Sequence, residues 1–86
     1  MIIKYHAHTM LDNVEVDTSV NTKGNWTTRV YRYDGEAILE FESISLDLNK
    51  AIHEHKRVCI AVIEAMNNTT YQHQFALNTK EDFQYV

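Results

Sequence analysis

Between residues 3 and 20 the chain largely alternates between apolar and polar positions on both sides of Asp12-Asn13, with Met10 as an apolar residue at a polar position. Because successive side chains of a β-strand point to opposite faces, a hairpin turning there collects one apolar and one polar face. The apolar face comprises Ile3, Tyr5, Ala7, Thr9, Leu11, Val14, Val16, Thr18 and Val20. The polar face carries His6, His8 and Asp17, and the register sets His8 opposite Asp17.

A second hairpin is predicted for the segment WTTRVYRYDGEAILEFES, with its turn at Asp34-Gly35. A type I′ turn needs positive φ at both central positions, and this dipeptide is one of its preferred sequences. The resulting register sets Arg29 opposite Glu40. It assigns to the buried face Trp26, Thr28, Val30, Arg32, Ala37, Leu39 and Phe41. It assigns to the half-exposed face Thr27, Arg29, Tyr31, Tyr33, Glu36, Ile38, Glu40 and Glu42.

The segment after the second hairpin has helical periodicity. At about 100° per residue, one narrow stripe forms, and it consists of Leu48, Ile52, His55, Cys59, Val62, Ile63 and Met66. We expect an amphipathic helix over about residues 46–66, with Ser45 as its N-cap and Asn67-Asn68 at its C-terminal end. The apolar run 58–63 also fits a short buried strand, which would shorten the helix to roughly three turns.

Strand-like alternation returns in residues 70–77, and we expect a fifth strand there, at an edge of the sheet. The tail after residue 78 begins with the capping-box spacing of Thr79 and Asp82, which predicts a helical turn or simply an ordered end. Residues 1–86 are therefore expected to form a single α+β domain. Its sheet is an antiparallel four-stranded meander of two hairpins, joined by the fifth strand, and the helix packs on one face.

Length and charge narrow the class of protein. A chain of 86 residues is enough for one domain. The net charge of −4 disfavours sequence-independent binding of nucleic acid, which requires a basic surface. The single cysteine, Cys59, cannot form an internal disulfide and fits a reducing compartment. No signal peptide or membrane-length apolar run is recognisable, so we expect a soluble protein in the cytoplasm, or in the host cytoplasm if the chain is phage-encoded.

The histidines are the residues that raise the question of chemistry. His6 and His8 share a strand face with Asp17 close by, so a histidine metal site is one alternative; Asp17 is equally suited to orient His8 by a hydrogen bond. His55 and Cys59 share the helix stripe, which favours a core histidine beside a small buried thiol over a catalytic pair. The sequence contains no glycine-rich phosphate loop, paired CxxC or HExxH motif, so we expect neither catalysis nor a cofactor.

The half-exposed face of the second hairpin is the candidate binding surface, because tyrosine and arginine are enriched in binding hot spots. Its expected partner-binding residues are Arg29, Tyr31, Tyr33, Ile38 and Glu40. We expect a small non-catalytic protein-interaction module, of a size and composition that suit a phage or mobile-element accessory protein that binds and inhibits a host protein. The alternative is a module that stacks single-stranded nucleic acid on the tyrosines, although the neighbouring glutamates disfavour it. An open sheet edge also predicts a homodimer as one arrangement.

Overall fold

The computed structural model describes residues 3–66 and 78–85. Its elements are strands β1 (Ile3–Leu11), β2 (Val14–Val20), β3 (Trp26–Asp34) and β4 (Glu36–Ser45), helix α1 (Leu48–Met66) and strand β5 (Thr79–Tyr85). The strands form one antiparallel sheet in the order β4-β3-β2-β1-β5. Helix α1 packs on one face of this sheet and contacts β1 to β4. The predicted α+β architecture is confirmed.

The first hairpin has the predicted register. Leu11 lies opposite Val14, and His8 lies opposite Asp17. Asp12 adopts a positive φ of 60° in the turn, a conformation that aspartate tolerates better than most residues. The predicted apolar face of this hairpin is the face that α1 covers, and its buried members are Tyr5, Ala7, Thr9, Leu11, Val16 and Thr18.

The second hairpin is present, but its predicted register is wrong at the turn. Asp34 lies opposite Glu36, and Tyr33 lies opposite Ala37 instead of Glu36. A type I′ turn would need positive φ at two positions, whereas here Gly35 has it (82°) and Asp34 does not. The chain therefore reverses around Gly35 alone, and the pairing moves by one residue.

A β-bulge then moves the pairing by a further residue. Tyr31 lies opposite Leu39, whereas its neighbour Val30 lies opposite Phe41. Glu40 is therefore an extra residue in β4, as in other β-bulges. Leu39, which was predicted on the buried face, shares a face with Tyr31 and is exposed.

Helix α1 is confirmed, and the run 58–63 is helical rather than extended. Its N-cap is Asp47, whose Oδ1 accepts the backbone N–H of Lys50 at 2.8 Å. The prediction of Ser45 as N-cap is wrong because Ser45 is still in β4, opposite Trp26. No helix in the described part of the chain is long and apolar enough to cross a membrane.

The described fifth strand is formed by the tail of the chain. β5 pairs with β1, so of the two alternatives for the tail the helical turn from Thr79 to Asp82 is wrong and the segment is ordered as a strand. Tyr5 holds the two strands together: its hydroxyl donates to Glu81 at 2.9 Å, and its ring lies 5.0 Å from that of Phe83. The predicted strand over residues 70–77 and the predicted helix end at Asn67-Asn68 lie outside the described residues.

The core between sheet and helix contains two apolar clusters. The first consists of Leu11, Val16, Val30, Val58, Cys59 and Ile63. The second consists of Tyr5, Ala7 and Ala51, with Trp26, Leu48 and Ile52 packed against it. Buried Thr9 lies between Ala7 and Leu11 along β1, so a polar layer runs between the two clusters.

Candidate functional site

The sheet face opposite α1 is called here the uncovered face, because no other element of residues 3–66 and 78–85 packs on it. Strand pairing brings Met10, Glu15, Tyr31 and Leu39 into one row across β1, β2, β3 and β4. Tyr33 follows Tyr31 on the same face of β3. We call Met10, Tyr31, Tyr33 and Leu39 the tyrosine patch; Glu15 lies within it, between Met10 and Tyr31.

Tyr33 is fixed in this patch by both its backbone and its hydroxyl. Its backbone N–H donates to the Asn13 carbonyl at 2.8 Å, and its hydroxyl donates to Glu15 Oε1 at 3.2 Å. Contact with the sheet surface and the Glu15 carboxylate raise the pKa of Tyr33. The residue is still 41% exposed, so a neutral phenol with an accessible ring face is presented to solvent.

Two histidine–carboxylate pairs border the patch. His6 Nε2 lies 2.7 Å from Asp17 Oδ1, and His8 Nε2 lies 2.6 Å from Glu15 Oε2. The prediction that Asp17 orients His8 is therefore wrong: the two residues face each other in the strand register, but the side chains pair diagonally. Within the described residues no three His, Cys, Asp or Glu side chains are grouped so that they hold a metal ion.

The arginines of β3 are already paired with glutamates of β4. Arg29 Nε donates to Glu42 Oε2 at 2.8 Å, where the predicted partner was Glu40. Glu40 accepts instead from Arg32. Each glutamate neutralises one guanidinium, so neither arginine presents an uncompensated positive charge to a nucleic-acid phosphate.

Two of the predicted partner-binding residues lie away from the tyrosines. Ile38 is opposite Arg32, which shares the helix-side face with Val30, so Ile38 points away from Tyr31. Glu40 is the extra residue of the bulge and pairs with Arg32. Of the predicted set, the uncovered face therefore combines Arg29, Tyr31 and Tyr33.

His55 belongs to the polar layer of the core. It is 2% exposed; its Nε2 lies 2.8 Å from Thr9 Oγ1 and its Nδ1 lies 2.8 Å from Thr18 Oγ1. Both hydroxyls make a further hydrogen bond: Thr9 Oγ1 lies 2.7 Å from Thr79 Oγ1, and Thr18 Oγ1 lies 2.8 Å from Thr28 Oγ1. Burial lowers the pKa of His55 to about 4, against the attraction of the Glu81 and Asp17 carboxylates.

The neighbouring thiol is also buried. Burial raises the pKa of Cys59 to about 11, so the nucleophilic thiolate is suppressed at neutral pH. The hollow beside His55 has a volume of about 60 Å³, far below the roughly 300–1,000 Å³ of ligand pockets. His55 and Cys59 thus lack both a substrate site and an activated nucleophile in the described part of the structure.

Sequence reasoning missed Met10 and Leu39 as members of the surface patch. Met10 carried a signal, since it lies on the predicted polar face of β1, where an apolar residue is unexpected. Leu39 carried none, because only the bulge at Glu40 places it beside Tyr31. Comparisons with protein-family models, with curated proteins and with solved structures gave no match.

Proposed function

We propose that this chain is a small non-catalytic protein-interaction module that binds its partner through the tyrosine patch. The observation that carries the proposal is the row of Met10, Glu15, Tyr31 and Leu39 across four strands, with Tyr33 beside Tyr31 on β3. Tyrosine and methionine are enriched in protein interfaces, and the Glu15 carboxylate between them is already hydrogen-bonded to His8 and Tyr33. Isolated exposed apolar residues are normal, whereas a group joined across three or four strands indicates a binding surface.

The chemistry of the core supports a non-catalytic role. The two groups with the most catalytic potential, His55 and Cys59, are buried. Burial lowers the pKa of His55 and raises that of Cys59, which favours the neutral form of each. The polar bonds of His55 are used within the core, which is the arrangement expected of a structural histidine.

The partner is a protein rather than a nucleic acid. The arginines nearest the tyrosines are each bonded to a glutamate, and Glu15 lies in the middle of the patch. A phosphate backbone needs free positive charge, which supplies most of the non-specific affinity. In keeping with the size and single buried cysteine of the chain, we place it in a cytoplasm, as an accessory protein of a phage or mobile element that inhibits a host protein.

Affinity capture from lysate of the native host tests the site. The bait variants are the wild type, the double variant Tyr31→Ala with Tyr33→Ala, and the matched control Tyr85→Ala. Tyr85 is a suitable control because it is an exposed tyrosine at the end of β5 (67% exposed). We expect the wild type and the control to capture the same partner protein in a fixed ratio of partner to bait. We expect the double variant to capture none of it. Removal of surface side chains leaves the thermal midpoint within about 5 °C, which calorimetry verifies.

Three outcomes contradict the proposal. If the double variant retains the partner as well as the wild type does, the tyrosine patch is not the contact surface. Loss of retention after nuclease treatment of the lysate would indicate the nucleic-acid alternative. Equal loss in the Tyr85→Ala control would show that retention depends on exposed tyrosines in general.

A further inference from the structure

Strand β4 is one edge of the sheet formed by the described residues. It has ten residues and pairs with β3 on one side; on its other side no described residue pairs with it. Edge strands present a row of free N–H and C=O groups, and proteins usually protect them with lysine, proline or short length. β4 is long and contains neither lysine nor proline. Its protective features are the bulge at Glu40 and its three glutamates, two of which are paired with arginines of β3.

Exposed apolar side chains flank this edge on both faces of the sheet. On the helix side they are Ile38 and Phe41, and on the uncovered face they are Leu39 and Ile44. A partner docked on one face would cover only one of these pairs. A strand added beside β4 contacts both pairs, because its own side chains alternate between the two faces.

The charges along the edge fit an antiparallel copy of β4. Glu40 and Glu42 are neutralised by arginines of β3, so two β4 strands approach without bringing together free carboxylates there. Glu36 lies at the N-terminal end of β4, opposite Asp34. The C-terminal end borders a groove of about 620 Å³, where Arg57 is bonded to Glu54 and the strongly exposed Lys50 lies 3.9 Å from Asp47 Oδ2. Antiparallel pairing places the acidic end of each strand beside the lysine-bearing groove of the other.

We propose that β4 binds β4 of a second copy of this chain, antiparallel and about a two-fold axis, so that the two sheets become continuous. A two-fold axis makes every contact reciprocal, so the same edge serves both copies and closes the assembly. Because the axis is perpendicular to the sheet, both helices lie on the same side and both tyrosine patches remain on the opposite face. The inference goes beyond the proposed function, since it concerns the edge of the sheet and not its uncovered face.

Sedimentation velocity on the purified full chain tests this assembly. The informative variant is Ile44→Lys, which places a lysine on the edge, and its matched control is Ile60→Lys on α1. Both isoleucines are strongly exposed, at 60% and 50%. We expect the wild type and Ile60→Lys to sediment at twice the chain mass of 10.1 kDa. Ile44→Lys is expected to sediment as a monomer, with dimer affinity lowered at least tenfold.

Three sedimentation results would overturn the proposal. The first is a wild type that is still monomeric at about 100 μM, where even transient complexes form. The second is an Ile44→Lys variant that stays dimeric, and the third is a species whose size keeps growing with concentration. The last result indicates open-ended pairing of β4 with β5 instead of a closed dimer.

Amide hydrogen exchange of the wild type gives a second measurement that requires no substitution. Exchange in β4 is expected to slow as concentration rises, while exchange in β5 is unchanged; the reverse pattern would overturn the proposal. If the chain does not dimerise, the proposal for the tyrosine patch still stands, because partner capture through Tyr31 and Tyr33 is measured in a separate experiment.

Discussion

The imidazole of His55 and the hydroxyl of Thr9 lie 2.8 Å apart in the core, between helix α1 and strand β1. The hydroxyl of Thr18 is hydrogen-bonded to the other ring nitrogen, Nδ1, at the same distance. In a neutral imidazole one nitrogen donates and the other accepts, and a threonine hydroxyl does either. The hydrogen bonds that link Thr79, Thr9, His55, Thr18 and Thr28 can therefore all form with an uncharged imidazole ring. The stability of this core should depend on His55 remaining neutral.

Acid should weaken the fold through His55. Its pKa is about 4 in the folded chain, below the ordinary value of 6.5, so protons bind preferentially to the unfolded chain. The stabilisation is fully present above pH 6.5 and is lost as pH falls towards 4, by up to about 3 kcal/mol. Urea unfolding of the wild type and of His55→Gln between pH 8 and 4 measures the difference, with His53→Gln as the exposed control on the same helix. If the unfolding free energies of the wild type and His55→Gln change equally between pH 8 and pH 4, His55 is not the cause of the acid sensitivity.

Removing one hydroxyl from the polar layer should be costly. Thr18→Val keeps the shape of the side chain but leaves His55 Nδ1 and Thr28 Oγ1 without this partner. Loss of a buried partner costs about 1–3 kcal/mol of unfolding free energy. Urea denaturation checks the value; Thr18→Ser, which retains the hydroxyl, should lose less, and Thr22→Val in an exposed loop should change little. An effect of Thr22→Val as large as that of Thr18→Val would contradict this account.

Cys59 should be unreactive while the chain is folded. Its thiol is buried and its pKa is raised to about 11, so both access and thiolate are suppressed. At pH 8 we expect a thiol reagent to modify the native chain at least about 100-fold more slowly than the urea-unfolded chain. The control is a cysteine at the exposed loop position Thr22 in a Cys59→Ala background, which should react at the unfolded rate. Rapid labelling of native Cys59 would reopen a catalytic interpretation.

The start of α1 should depend on Asp47. Because its carboxylate accepts the Lys50 backbone N–H, Asp47→Ala should lower the unfolding free energy by about 1 kcal/mol. Asp47→Ser keeps a capping oxygen and should recover most of the loss. Chemical denaturation followed by circular dichroism at 222 nm measures both variants; equal loss in the two would show that capping is not the cause.

The two hairpins show which part of the sheet the sequence determines. In the first, the Asp12-Asn13 turn and an alternation broken only at Met10 within residues 3–20 predict the same register, and the structure has that register. In the second, Ile38 and Leu39 are adjacent and both apolar. Each of the two possible registers therefore places one of them on the helix side, and hydrophobicity does not distinguish the registers. The bulge at Glu40 then selects the pairing, and nothing local in the sequence reveals it.

The helix and the last strand illustrate the same limit. The 3.6-residue spacing predicts α1 well, but Ser45 and Asp47 are both good capping residues, and only the end of β4 distinguishes them. In the tail TKEDFQY only Phe83 and Tyr85 alternate with polar residues, and Glu81 shares their face, so the strand pattern is too short to predict β5. It becomes β5 by pairing with β1, where Tyr5 contacts Glu81 and Phe83.

Hydroxyl-radical footprinting of the captured complex, read by mass spectrometry, tests the tyrosine patch most directly. Met10 and Tyr33 are exposed members of the patch, and Tyr85 is an exposed tyrosine at the end of β5. We expect modification of Met10 and Tyr33 to fall at least several-fold when the partner is bound, with Tyr85 unchanged. Equal modification of Met10 and Tyr33 in the free and bound chain would contradict the proposed contact surface.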